Sequence, residues 1–335
     1  MRRAIPAVTK LVAFGAGVAV LLVLPHWRSS FETVELATVG VYFIAVLGLN
    51  VLTGYTGQVS LGHGAFMALG GYTTAILVAK HGIKDLWTIP LAGLVAGAAG
   101  IVFGIPALRL RGAYLALATF ALPVVLPFII KKFDHFTGGS RGLQFFGNEH
   151  YTGKGFQDVH VLGRALSFND WLYYLCWTIA VVLFVAAWAL LQGKVGRGFR
   201  AIRDSEVTAV SSGINASLYK AGAFGISAFY AGVAGSLLAI VDFSVSPSTF
   251  PLVLSLYLVI GAVVAGLGSL VGLAAGALFI QYLPDLAQHV SKSPGAPSVI
   301  YGVVLIAVVL LLPTGVGGLV RKVAAPLTNR ASRGS

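Results

Sequence analysis

Apolar runs follow one another along the chain with short polar interruptions, at 9–25, 36–53, 59–79, 87–108, 113–130, 170–192, 221–241, 252–268, 271–288 and 298–313. A membrane span needs about 20 predominantly apolar residues. The pattern therefore predicts an all-α polytopic membrane protein with about 10 transmembrane helices (8–10), some broken or re-entrant, all in one domain over 1–335. Boundaries are softest around 54–60, where Gly54, Gly57 and Gln58 interrupt the run, and around 269–271. Residues 36–79 exceed one helix, because a stretch of that length reaches about 66 Å against about 30 Å of hydrocarbon. They form two spans, or one span plus a re-entrant or broken helix. Continuous rather than alternating runs argue against a β-barrel.

Composition points the same way. Hydrophobic residues make up 57% of the chain and charged residues 10%, whereas a soluble domain carries about 25% charged residues. Lipid must be the solvent. The 42 glycines suit transmembrane helices whose backbones approach closely. Gly93 and Gly97, Gly100 and Gly104, and the row Gly268, Gly272, Gly276 follow the small-xxx-small spacing; they serve either a subunit interface or packing within one chain. The N-terminus (Met1, Arg2, Arg3, Lys10, then apolar residues to Pro25) has the charge order of a signal peptide. His26, Trp27 and Arg28 follow where a cleavage site would stand, so it reads as an uncleaved first span. The single cysteine, Cys176, excludes a disulfide within the chain.

The net charge of +12 would suggest nucleic acid in a soluble protein. Here the basic residues lie between apolar runs and read as topology signals, with no nucleic-acid partner. With ten spans, one side holds fourteen Lys and Arg and the other nine, five of them in the loop 131–169. The positive-inside rule then puts both termini and the segment 193–220 in the cytoplasm, and the loop 131–169 outside.

That cytoplasmic segment is a polar island. Lys194, Arg197, Arg200, Arg203, Asp204, Glu206 and Lys220 crowd into a chain otherwise poor in charge. Placed on one helix over 202–214, Ile202, Glu206, Ala209 and Gly213 share a narrow stripe. Arg200, Arg203 and Asp204 lie opposite it, with Arg200 and Asp204 at i, i+4. Gly213 is a natural C-terminal stop. Two readings suit the segment: a solvated helix whose arginines set topology, or an element inserted into a groove on a cytoplasmic partner.

Polar residues inside spans face a bundle interior or an aqueous cavity. Asn50, Gln58, Ser60 and His63 cluster near Gly54, Gly57, Gly62 and Gly64. This cluster either unwinds a helix to present backbone groups to a zwitterionic substrate or caps a helix junction. A lone His63 does not make a metal site or a proton relay. Asp242 and Asp285 stand at span ends, and Pro123, Pro127 and Pro284 are candidate kinks.

GRGFRAIRDSEVTAVSSGIN resembles the cytoplasmic EAA-type loop of ABC importer permeases, and most nearly the M-type permease subunit of branched-chain amino acid importers. GLNVLTGYTGQVSLGHGAFMALGGYT at 48–73, TGGSRGL at 137–143 and LLPTGVGGL at 311–319 support that family, in the expected order. The loop departs from the family pattern at Thr208, Ser211 and Ser212.

The resemblance implies a coupling loop at 193–220 that docks on a separate ATPase subunit, with Arg200, Arg203, Asp204, Glu206, Ala209 and Gly213 as its residues. The polar and glycine cluster within the spans is the candidate translocation path, past Asn50, Gly57, Gln58, Ser60 and His63. The resemblance further implies a second, paralogous permease subunit and a periplasmic substrate-binding protein that delivers cargo at the loop 131–169. The chain has no GxxxxGK[ST] phosphate loop, so ATP is used by the partner and no cofactor is bound here. The expected setting is the bacterial inner (plasma) membrane. Leucine, isoleucine and valine are the implied cargo. Urea, amides or other small carboxylates are the alternative. An ion-coupled secondary transporter would need mid-span carboxylates, which are nearly absent.

Overall fold

The computed structural model describes residues 15, 17, 19–27, 29–107, 110, 112–144, 160–161, 164–165, 167–290, 296–311 and 314–320. Ser29 opens the first long helix, α1 (Ser30–Leu49), through a capping box. Its side chain accepts from the Glu32 amide, and Glu32 returns a bond to the Ser29 amide. α1 passes directly into a π-helical turn, Asn50–Gly54. After Thr56 the chain leaves helical geometry for the six residues 57–62, and α2 (His63–His81) follows. The long run 36–79 is thus two helices joined by a π turn and a non-helical link.

α3 (Asp85–Ala107), α4 (Ala113–Lys132), the one-turn α5 (Asp134–Thr137), α6 (Phe168–Gln192), α7 (Lys194–Asp204) and α8 (Glu206–Ser211) follow. The chain continues with α9 (Ala216–Asp242), α10 (Leu252–Ala265), α11 (Leu273–Val290) and α12 (Ala296–Leu311). Two small antiparallel ribbons complete the described structure. β1 (Leu143–Gln144) pairs with β4 (Ser244–Val245), Leu143 opposite Val245, and β2 (His160–Val161) pairs with β3 (Arg164–Ala165).

A helix stands at every predicted run from 36–53 onward; of the run 9–25 only 15, 17 and 19–25 are described. Membrane-crossing length is a stricter matter. Among the described residues, five segments are both long and apolar enough to cross: Ser30–Gly54, Asp85–Pro106, Ala113–Lys132, Phe168–Gln192 and Ala216–Asp242. α10 and the first part of α11 are apolar but shorter. The physical reason is visible at α10, which stops at Gly266 and gives way to a turn before α11 starts. A short helix can end at membrane depth where protein buries its last carbonyls. Pro123 and Pro127 leave α4 a single helix, as Pro284 does α11.

α9 is the central post: 89% of its most apolar window is buried, against 22% for α4 and for α6. Small residues make that position reachable. A Cβ on Gly70 of α2 would meet the Gly232 Cα of α9 at 2.5 Å, and one on Gly235 would meet the Met67 Cα at 2.8 Å. On another side of α9, a Cβ on Gly93 would stand 2.8 Å from Val233, and one on Gly100 would stand 3.0 Å from the Phe224 carbonyl. The α3 glycine rows therefore pack helices within the chain, as do Gly276 against Gly261 and Gly272 against Gly317. In lipid such close contact is a main source of helix association.

α9 also sorts the polar segments by side. Its 27 residues give a rod about 40 Å long. The island α7–α8 adjoins its N-terminal end, and the β1–β4 ribbon adjoins its C-terminal end. The described part of loop 131–169 and the island 193–215 are thus at opposite ends of the bundle. Lys80, at the end of α2, donates to the His135 carbonyl and lies 5.5 Å from the Phe136 ring centroid, which ties α2 to the loop end. Asp242 is exposed at the last position of α9, a helix-end carboxylate.

Candidate functional site

The island is not the continuous helix over 202–214 that its periodicity predicts. Ser205 is extended (φ −161°, ψ 111°) and divides α7 from α8. The cause is local. The Ser205 hydroxyl accepts from the Thr208 amide at 3.3 Å, so the chain gains an N-cap where a single helix would have run on. The stripe of Ile202, Glu206, Ala209 and Gly213 is broken accordingly. Ile202 and Ala209 point inward and form a small core with Ala216. Glu206 is half-buried and pairs with Lys220 of α9 at 2.7 Å. Gly213 is exposed with φ +84°, and the Ile214 amide returns to the Ala209 carbonyl at 3.0 Å to close the α8 terminus.

Arg200 and Asp204 are exposed on α7. Arg203 also shows solvent, yet its guanidinium reaches back to donate to the Gly54 carbonyl. It is not simply a member of an outward cationic face. What does face outward from α8 is apolar: Val207 is 77% exposed and Val210 53%, with Leu218 of α9 nearby in sequence at 68%. The periodicity argument missed this pair. A serine N-cap followed by valines at i+2 and i+5 was the signal that could have found it.

At the broken helix, Asn50 is fully buried, and both ends of its amide are used. Nδ2 donates to the Ser269 carbonyl at 2.7 Å, and Oδ1 accepts from the Gly268 amide at 2.7 Å. Asn50 thus binds the π turn to the turn between α10 and α11. From 57 to 62 exposure alternates as in a strand. Gly57 and Val59 are exposed, while Gln58, Ser60 and Gly62 are buried.

Backbone outside a helix at membrane depth needs other partners, and hydroxyls from neighbouring helices supply them. The Leu61 amide donates to Thr119 Oγ1 of α4 at 2.9 Å, and the Gly64 amide donates to Ser255 Oγ of α10 at 3.1 Å. Gln58 Nε2 donates to Thr56 Oγ1 at 2.9 Å, while the Gln58 carbonyl accepts from Thr53 Oγ1 at 3.0 Å. His63 is buried with Nδ1 3.5 Å from Ser227 Oγ of α9. The structure therefore gathers Gln58, Ser60 and His63 on the inward side of the link and leaves Gly57 outside. Among the described residues, no three His, Cys, Asp or Glu side chains come together as a metal site.

Beyond this link, α2 and α4 enclose an apolar cleft of about 180 Å³, lined by Ala68, Tyr72, Ile76, Leu126 and Ile129 among others. The buried Tyr72 hydroxyl has no hydrogen-bond partner among the described residues.

With this geometry in hand, comparisons place the chain among known proteins. Residues 34–310 match the family described as branched-chain amino acid transport system, permease component. The chain is 32% identical over 292 residues to the high-affinity branched-chain amino acid transport system permease protein LivM of Escherichia coli (strain K12), covering 82% of this chain and 68% of that protein. It is 25% identical to the high-affinity branched-chain amino acid transport system permease protein LivH of the same organism, over 83% of this chain and 91% of that one. A probable branched-chain amino acid transport permease protein LivH of Methanocaldococcus jannaschii is 22% identical over 82% of this chain and 88% of its own. No solved structure matches the chain.

Proposed function

The chain belongs to the branched-chain amino acid transport system permease family, and from that premise we propose that it is the membrane subunit of an ATP-driven importer for leucine, isoleucine and valine in the bacterial inner membrane. ATP is bound and hydrolysed by a separate subunit; this chain carries out no covalent chemistry. It pairs with a second, paralogous permease, a reading supported by its likeness to both LivM and LivH. A substrate-binding protein delivers cargo at the end of the bundle that carries loop 131–169. Both termini and the island lie in the cytoplasm.

The observation that carries the driving role is the exposed valine pair of α8, Val207 and Val210, on a segment outside the membrane-length helices. An apolar pair held out on a capped turn suits insertion into a groove of a soluble partner. Arg200, Asp204 and Gly213 border it, while Glu206 and Ala209 hold α8 against α9.

The path runs past the link 57–62. Hydroxyls of Thr119 and Thr53 hold the Leu61 amide and the Gln58 carbonyl where a helix ladder is absent, as suits a broken helix that lines a path.

The test is uptake in vesicles holding this chain with its partner subunits. Uptake of leucine, isoleucine and valine is expected to need internal ATP and to survive collapse of the proton gradient. Uptake that follows the proton gradient and ignores ATP would instead make the chain a secondary transporter. Preference for urea or amides over the aliphatic amino acids would overturn the cargo assignment alone.

A further inference from the structure

Gly54 ends the π turn, and the chain leaves helical geometry after Thr56, so the Gly54 carbonyl is left without the amide that a continued helix would have supplied. Arg203 fills that vacancy from a different part of the molecule. It lies one position before the end of α7, and its guanidinium donates to the Gly54 carbonyl.

The route of the side chain is shaped by two glycines in left-handed backbone. A Cβ on Gly57 (φ +74°) would lie 3.4 Å from Arg203 Cγ, against the aliphatic stem. A Cβ on Gly268 (φ +76°) would lie 2.7 Å from Arg203 Nη1 and 3.0 Å from the Gly54 carbonyl oxygen. Gly268 is itself held by Asn50 Oδ1 at 2.7 Å. One guanidinium thus meets three segments: the island, the broken end of α1 and the turn between α10 and α11.

Few other residues fit this role. Lysine offers a single compact ammonium on a flexible stem, whereas the planar guanidinium presents donors in a fixed fork while remaining charged and partly hydrated. The stem lies on Gly57, the residue that begins the link 57–62, so a shift of α7 acts directly on the start of that link.

We propose that Arg203 is a positioning residue that transmits movement of the cytoplasmic island to the broken end of α1 and the link 57–62. Under this assignment Arg203 faces the membrane domain, and contact with the ATPase falls to α8. The proposal rests on the reading of the chain as an ATP-driven permease, and two measurements separate the fates of the two ideas.

The first needs no transport. Val59 is 39% exposed on the link and the native Cys176 is buried, so Val59→Cys reports the link through its rate of reaction with a polar maleimide in the assembled complex. Arg203→Met keeps the stem and removes the donors. It is expected to change that rate several-fold, with Arg203→Lys between it and the parent. The second is substrate moved per ATP hydrolysed in proteoliposomes. Arg203→Met is expected to lower it by about tenfold, a usual size for coupling between sites, at an unchanged basal rate of ATP hydrolysis.

An unaltered maleimide rate with full transport per ATP overturns the proposal. So does loss of the ATPase subunit from purified Arg203→Met complexes, which would make Arg203 a docking residue. A changed maleimide rate in a protein that shows no ATP-dependent transport keeps the link and removes the importer reading.

Discussion

Glu206 Oε1 stands 2.7 Å from Lys220 Nζ, joining the first residue of α8 to the second turn of α9. The pair closes the island into a short hairpin, with the small core of Ile202, Ala209 and Ala216 beneath it. The pair is partly shielded, so it stands between an exposed pair, which contributes about 0–1 kcal/mol, and a buried one, whose loss of one partner costs more. Its larger effect is on the angle at which α8 leaves the bundle. Glu206→Gln and Lys220→Met are each expected to leave membrane insertion and yield near the parent while reducing uptake. The exchange of both residues, Glu206→Lys with Lys220→Glu, restores uptake above either single reversal. The restoration is partial, because a lysine at the first position of α8 meets the positive end of the helix dipole. Uptake rates in a double-mutant cycle measure the coupling, and strictly additive losses would show that the pair does not orient α8.

The outward face of α8 yields a sharper contrast. Val207→Asp with Val210→Asp places charge where solvent already is, so the fold is kept and the ATPase subunit no longer co-purifies. Ala209→Asp, one residue from Val210, sets a carboxylate into the core that Ala209 shares with Ile202. Burial of an unpaired charge costs several kcal/mol, and that variant is expected to fall in yield before any question of docking arises. Co-purification measured beside yield separates the two. If the double aspartate variant holds the ATPase as well as the parent does, docking lies elsewhere on the island.

The helices were legible in the sequence because each apolar run is long and is closed by polar or glycine residues; Ser29, Ser167 and Asn215 stand at helix starts as N-caps. The island was legible as a charged anomaly, yet its geometry was not. A helical wheel assumes continuous helix, and one hydroxyl at Ser205 was enough to end it. Asn50 was visible as a polar residue in a span, but its partners Gly268 and Ser269 are more than 200 residues away. Nothing local announces such a contact. The hydroxyls of Thr119 and Ser255 that support the link were unreadable for the same reason. Span count is read differently: hydropathy marks apolar helices, while the fold shows how long each one is, as at α10, which ends at Gly266.

Gly213 follows the α8 C-cap with φ +84°, and a Cβ placed there would meet nothing within 4 Å. Backbone strain, not crowding, is therefore what a side chain brings. A left-handed conformation costs an L-residue about 1–2 kcal/mol, least for asparagine. Gly213→Asn is expected to transport near the parent rate, whereas Gly213→Val displaces the α8 terminus and uncouples transport with insertion intact. Equal uptake by the two variants would show that the turn does not set the docking geometry.

Asn50 holds the π turn to the α10–α11 turn through two bonds of 2.7 Å in a fully buried setting. Asn50→Leu keeps a similar volume but leaves the Gly268 amide and the Ser269 carbonyl unpaired, at about 1–3 kcal/mol for each buried group. Asn50→Asp keeps an acceptor for Gly268 and turns a carboxylate oxygen toward the Ser269 carbonyl, so it replaces an attraction with a repulsion. Both variants are expected to lower the thermal aggregation midpoint of the detergent-solubilised complex, with Asp below Leu. Gly222→Ala, at a glycine whose Cβ would meet nothing within 4 Å, serves as the neutral control. The ordering follows from the charge and not from the count of bonds: leucine keeps no polar bond, whereas aspartate keeps one but adds a buried charge and a repulsion at the Ser269 carbonyl that outweigh it. An Asn50→Leu midpoint equal to that of Gly222→Ala would mean that the two turns are held together by packing alone.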